Sequence, residues 1–221
     1  MTHRSIKCLF IIGLMTGFSG VTFAQDAQFL NPLVLDLNRD GKIEVVSPYG
    51  GTGVSFNQNG KNGSTISGWI SPEDGFLVRD LNGNGQIDSG VEMFSSFSMS
   101  YSNQGDEKYS NGFQALQQYD ANHNGVIDSA DHVYLDLKVW QDKNANGITE
   151  SDELMTLADM GITEISLSFT KSEVNSDAIL GVSSYKKGYV AAIIADVWLQ
   201  SRRSLEIAGQ SLLPTGMYSQ K

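Results

Sequence analysis

The pattern of apolar and polar positions changes character along the chain. In the N-terminal half it reads as strands and hairpins. Pro32–Asp36 is an apolar run that ends in a polar loop. Val54 and Phe56 alternate with polar residues inside a Gly-, Asn- and Ser-rich stretch over 49–68, which predicts hairpins with turns at Asn59–Gly60 and Asn62–Gly63. Phe76–Val78 reads as a short strand entering a second polar loop. Residues 95–111 have no period and read as a mobile loop. From Gly112 the spacing predicts helices over 112–119, 129–137 and 151–160. Phe113 and Leu116 face inward in the first, Val133 and Leu137 stand four apart in the second, and Gly161 caps the third. Ile162, Ile165, Leu167 and Phe169 predict a strand over 162–170, and a turn at Tyr185–Tyr189 leads into an apolar strand over 190–199.

The first residues read as an export signal. Arg4 and Lys7 precede a short apolar run over 9–18, and Thr22–Ala24 offers small residues for cleavage after Ala24. The expected organisation is a signal peptide over 1–24, a loose segment over 25–31, a module over 32–200 and a flexible tail over 201–221. A secreted or periplasmic location follows. The single cysteine, Cys8, lies within the leader, so a processed chain carries no disulfide.

Net charge is −10, and removing the leader deletes two cations and no acid. Such a chain repels nucleic acid and anionic membranes. About half of its 25 Asp and Glu residues fall in four short segments. Like charges packed together destabilise a fold unless a cation sits among them.

The four segments start at Asp36, Asp80, Asp120 and Asp142, and all fit D-x-N-x-[DN]-G-x-x-[DE]. A hard cation takes six to eight oxygens, and positions 1, 3, 5, 7, 9 and 12 of such a loop supply them. The expected ligands of loop 1 are Asp36, Asn38, Asp40, Lys42 and Glu44, with Lys42 contributing its carbonyl. Those of loop 2 are Asp80, Asn82, Asn84, Gln86 (carbonyl), Asp88 and Glu92. Those of loop 3 are Asp120, Asn122, Asn124, Val126 (carbonyl), Asp128 and Asp131. Those of loop 4 are Asp142, Asn144, Asn146, Ile148 (carbonyl), Glu150 and Glu153. Position 6 is glycine in each (Gly41, Gly85, Gly125, Gly147), as a sharp turn with positive φ requires. Position 12 is acidic only in loops 3 and 4. Loop 2 has Glu92 one residue late. Loop 1 has Ser47 there and must borrow a carboxylate, with Glu73 or Asp74 as candidates. Oxygen ligands and few histidines point to calcium, up to about four ions, rather than zinc. His123 and His132 read as surface residues.

The fold expected from these patterns is α+β. It is a compact calcium-stabilised module with β-hairpins in its N-terminal half. In its C-terminal half, loops 3 and 4 lie close enough in the chain to form an EF-hand-like helix-loop-helix pair. Trp69, Trp140 and Trp198 sit in apolar, strand-like contexts and read as core rather than a carbohydrate platform. No G-x-S-x-G, H-E-x-x-H or Cys–His arrangement is present, so no hydrolase signature appears. A dockerin-like docking module is a minor alternative, because dockerins are much shorter.

Several stretches occur in an order that resembles the calcium-dependent self-processing module of bacterial RTX proteins and other haemolysin-type calcium-binding exoproteins. They are Pro32–Asn38, Gly68–Gly75, Asp80–Gly85, Leu137–Asp142, Leu157–Ile162 and Ala195–Trp198. The resemblance implies a module folded by calcium that then cleaves an Asp–Pro bond at its start, with an anhydride that a lysine can capture. The matching dipeptide here is Asn31–Pro32, and none of the four prolines follows an Asp. The resulting expectation is an exported, non-enzymatic calcium-binding module, structural or adhesive. Its expected partner beyond calcium is an unidentified surface protein or glycan. Calcium-triggered cleavage or cross-linking at Asn31–Pro32 is the alternative.

Overall fold

A computed structural model of the chain describes residues 30–49, 51–61, 63–98, 109–172 and 178–202. The expected leader, the expected turn residue Asn62 and most of the expected tail lie outside the described residues, as does 99–108 of the expected mobile loop.

The architecture is predominantly β, which corrects the α+β expectation. One large antiparallel sheet runs β7 (Val126–Asp128), β10 (Ile162–Ser166), β12 (Ile179–Lys187), β13 (Val190–Val197), β1 (Leu33–Leu35), β6 (Gly75–Val78), β8 (Lys138–Trp140) and β9 (Leu154–Thr156). A short β11 (Thr170–Lys171) also pairs with β12. Two small antiparallel sheets accompany it. One joins β3 (Val54–Phe56), β4 (Thr65–Ser67) and β14 (Ser201–Arg202), and the other joins β2 (Val45–Val46) to β5 (Trp69–Ile70). The expected hairpin is therefore present as β3–β4, and the start of the expected tail is a paired strand.

Side chains on a strand alternate between the two faces of its sheet. The central strands here are buried on both faces, so their sequences read as continuous apolar runs. Leu33, Leu35, Leu77, Val139 and Ile194 enter one core with Phe113, Leu116, Ile127 and Val133. Val34, Phe76, Val78, Trp140 and Ala195 enter the other with Phe56, Trp69, Ile43 and Ile87. The second core is aromatic: the rings of Phe56, Trp69, Phe76 and Trp140 have centroid separations from 4.9 to 5.9 Å. Each such pair adds about 0.5–1.5 kcal/mol to the area buried. Trp69 and Trp140 are thus core residues, as their context predicted.

Only the first of the three expected helices forms, as α1 (Gly112–Gln117), capped by the Asn111 side chain on the Gln114 N–H. The expected helix over 129–137 is a 3-10 turn, His132–Leu135. The Val133–Leu137 spacing is satisfied by one hydrogen bond before the chain enters β8. The expected helix over 151–160 is strand β9 and a turn, because Leu154–Thr156 pairs with β8. Pairing with β8 overrides a weak helical pattern at 154–156, while 129–137 closes only a 3-10 turn before the chain enters β8. Without those flanking helices there is no EF-hand-like helix-loop-helix pair.

Candidate metal centre

Each of the four loops begins where a core element ends. Loop 1 leaves β1, loop 2 leaves β6, loop 3 follows α1, and loop 4 leaves β8. Their backbones repeat one another. Position 6 is left-handed in each, with φ of 81° at Gly41, 80° at Gly85, 82° at Gly125 and 73° at Gly147. Position 4 is left-handed too, at Arg39, Gly83, His123 and Ala145. His123 therefore serves by its backbone. The Asp at position 1 stabilises the turn from inside. In loop 1 its two oxygens accept from the N–H groups of Arg39 (2.7 Å) and Gly41 (2.9 Å). The counterparts are Gly83 and Gly85 on Asp80, Asn124 and Gly125 on Asp120, and Asn146 and Gly147 on Asp142. The side chain at position 3 accepts from the position-5 N–H, and that at position 5 from the position-7 N–H. Asn38 and Asp40, Asn82 and Asn84, Asn122 and Asn124, and Asn144 and Asn146 fill these roles.

A closing carboxylate reaches every loop, by different routes. In loops 3 and 4 it comes from position 12. Asp131 accepts from the N–H groups of Ala121 (2.8 Å) and Asp128 (3.1 Å), and Glu153 from those of Lys143 (2.8 Å) and Glu150 (3.1 Å). In loop 2 the tight turn Gly90–Glu92 takes up the extra residue, so Glu92 accepts from Leu81 (3.0 Å) and Asp88 (2.7 Å) in the same way. Gly90 allows it, since a Cβ there would collide with the Gln58 carbonyl. In loop 1 the carboxylate is borrowed: Asp74 accepts from the Glu44 N–H at 3.3 Å, and Glu73 accepts from the Asn38 amide at 2.7 Å. Strand register explains the loan. Leu35 pairs with Gly75, which places Asp74 beside the end of β1.

These carboxylates are buried. Asp36, Asp74, Glu92, Asp120, Asp131, Asp142 and Glu153 are each at most 5% exposed. Burial pushes the Asp74 carboxyl up to about 7, with Asp36, Asp40 and Glu44 adding to it. Burial also raises Glu92, with Asp88 and Asp80 contributing. In loop 4, Glu150 Oε1 accepts from the amides of Asn146 (2.8 Å) and Asn144 (3.3 Å). Its Oε2 is shielded from solvent and the Glu150 carboxylate faces the Glu153 carboxyl. Burial and the facing Glu150 carboxylate push Glu153 up. Among the described residues, no group of three or more His, Cys, Asp or Glu side chains gathers as a metal cluster. The loops instead mix carboxylates with Asn and backbone oxygens.

Residues outside the motif tie the loops together. The Trp69 indole N–H donates to Asp142 at 2.8 Å. The Ile87 N–H of loop 2 donates to the Thr149 hydroxyl of loop 4 at 3.0 Å. Loop 2 thus packs on loop 4, where the sequence pattern paired loop 3 with loop 4. Thr149 occupies the one position 8 that is not isoleucine, and that irregularity was the available signal. Lys138 lies 3.3 Å from Asp80, and no motif marks it.

The dipeptide Asn31–Pro32 lies within paired backbone, not in a loose segment. Leu30 bridges to Leu199, and the Pro32 carbonyl accepts from Val197 at 2.9 Å. The buried Asn31 side chain accepts from the Ser96 N–H at 2.9 Å and hydrogen-bonds Asp196.

Residues 33–200 match the family model described as SPM domain. The chain belongs to the SPM domain family. The matched region opens at the first residue of β1 and closes after β13, so the SPM domain contains all four loops and both cores apart from Leu30. Asn31–Pro32 falls just before it. This chain is similar to a segment of iron-regulated protein FrpA of Neisseria meningitidis serogroup C, 38% identical over 161 residues. The alignment covers 71% of this chain and 14% of that relative, so the chain spans only a small part of the relative's length. Among the described residues of the SPM domain, no helix is long and apolar enough to cross a membrane.

Proposed function

We propose that this SPM domain is an exported, non-catalytic calcium-binding module whose four loops each hold one ion. The observation that carries the reading is the fourfold closure. Each loop presents a buried position-1 carboxylate and a buried closing carboxylate, although the closer comes from position 12, from one residue later, or from another strand. Buried like charges are costly without compensation. The donor sets also suit a hard cation, with carboxylate, amide and carbonyl oxygens in number for six to eight contacts. Glu150 Oε2, shielded from solvent and facing the Glu153 carboxyl, fits such an ion. Bound calcium would supply the positive charge that offsets the clustered acids. Its binding free energy would then be folding free energy.

The role is structural or adhesive, toward an unidentified surface protein or glycan. Export follows from the leader-like N-terminus, and the similarity to FrpA is in keeping with it. The calcium-dependent self-processing resemblance is read here as retained ion sites without the processing chemistry, because Asn31 replaces the acidic nucleophile. The test is calcium titration of the metal-stripped chain by calorimetry, with circular dichroism and thermal melting in parallel. Uptake of about four ions with a rise in melting temperature is expected. An unchanged melt with calcium and with chelator overturns the proposal.

A further inference from the structure

Loop 2 differs from its three counterparts in one respect that the motif does not encode. The Lys138 ammonium sits 3.3 Å from Asp80 Oδ2, the position-1 carboxylate, whose side chain is only 5% exposed. Among the described residues no ammonium or guanidinium pairs with Asp36, Asp120 or Asp142. The sheet places the lysine there. Val78, the last residue of β6, pairs with Lys138, the first residue of β8, so the side chain opens onto the start of loop 2. The Asp80 oxygen that faces Lys138 also accepts from the Gly85 N–H, inside the turn. The cation is thus aimed at the carboxylate that an ion in loop 2 would use.

The surroundings leave the lysine room to move. Arg79, Leu81, Leu135, Asp136 and Lys138 border an open cleft of about 520 Å³ beside Asp80. Asp136 lines the same cleft, is about half exposed, and already holds Arg79 at 2.7 Å. A lysine displaced from Asp80 has solvent and a second carboxylate within the same space.

Resting on the reading of the loops as calcium sites, we propose that Lys138 is a built-in counter-ion that competes with calcium at loop 2. It makes this loop the weakest of the four and the last to fill. Without metal the ammonium offsets part of the loop's negative charge and supports the fold. With metal it must withdraw, or remain beside a doubly charged ion and repel it. Repulsion at a few ångströms, screened as in water, corresponds to about a tenfold change in affinity.

The experiment is calcium calorimetry and metal-free thermal melting of the full chain with Lys138→Met and Lys138→Gln, repeated on an Asp88→Ala background that cripples loop 2. Tightening of the weakest binding step by about tenfold in both variants is expected, together with a lower metal-free melting temperature. The gain should vanish on the crippled background and shrink at high salt. A lysine that merely orients Asp80 would lower both affinity and melting temperature, and that result overturns the proposal, as does an unchanged weakest step. If the wild-type chain takes up no calcium, the reading of the loops fails first. If it takes up calcium and the variants do not tighten loop 2, only the role of Lys138 fails.

Discussion

The two faces of the central sheet carry the same nine-residue motif in different ways. On one face, loop 3 closes on its own sequence and joins the large sheet through β7, which pairs with β10. Its closer is Asp131, and Ile127 anchors it in the core of Leu33, Leu77, Phe113 and Leu116. On the aromatic face, loops 1, 2 and 4 surround one cluster. Ile43, Ile87 and Ala145 pack on or in it with Trp69 and Trp140. Loop 1 borrows Asp74, loop 4 receives the Trp69 indole N–H, and loop 2 hydrogen-bonds to Thr149 of loop 4. A loop closed locally can form whenever its own short segment orders. A loop that borrows its closer, as loop 1 does, or that is hydrogen-bonded to another loop or strand of the cluster, as loops 2 and 4 are, orders together with that cluster. On the calcium reading, ions at loops 1, 2 and 4 should therefore be coupled to one another, and an ion at loop 3, which is tied to β10 instead, much less so to them.

The sharpest way to break this contrast is to disturb the aromatic cluster. Trp69→Ala removes a buried ring that touches Phe56, Phe76 and Trp140 and should cost about 3–5 kcal/mol in denaturant unfolding. It should weaken ion uptake at loops 1, 2 and 4 while loop 3 keeps its affinity in calorimetry. Equal weakening of all four steps would erase the distinction between faces.

A smaller change isolates the link between loops. Thr149→Val keeps the shape but strands the buried Ile87 N–H, at a cost of about 1–3 kcal/mol. Amide exchange should speed up at Ile87, and calcium affinity should fall at loops 2 and 4 together. A fall at loop 4 alone would show that the two fill independently.

A pH-dependent effect is expected from Asp196, which accepts from the Gly112 N–H at the start of α1. Burial pushes its carboxyl up to about 7 from 3.8. Its folded form holds a proton more tightly than its unfolded form. The stabilisation it gives is therefore complete below about pH 4 and is lost as pH rises through about 7. One proton limits the slope to about 1.4 kcal/mol per pH unit. Asp196→Asn should flatten stability against pH in that window, in the presence of calcium as well, since Asp196 is not in a loop. Thermal melts from pH 4 to 8 in saturating calcium check this, and an unchanged slope would remove Asp196 as its source.

Much of this was legible in the chain itself. Short-range rules decide it: a glycine that must adopt positive φ, side chains two residues from the N–H groups they accept, and alternation on a strand. They placed all four loops, the β3–β4 hairpin, the strand entries at Leu33 and Phe76, and the helix at Gly112. They named Glu73 and Asp74 as candidate lenders to loop 1, and both carboxylates hydrogen-bond to that loop. They failed where distant strands compete. The patterns at 129–137 and 151–160 suit a helix in isolation, but the first shortens to a 3-10 turn ahead of β8 and the second pairs with β8, whose buried partners outweigh a weak propensity.

The sequence by itself determined the turn of each loop, because the backbone N–H groups that positions 1, 3 and 5 accept from lie within five residues of them. Only the tertiary structure decided which loops meet, which residue closes loop 1, and that Lys138 faces Asp80. Those contacts join positions from 30 to 73 residues apart. They depend on the register of antiparallel strands, which emerges only when both faces of the sheet bury their side chains together.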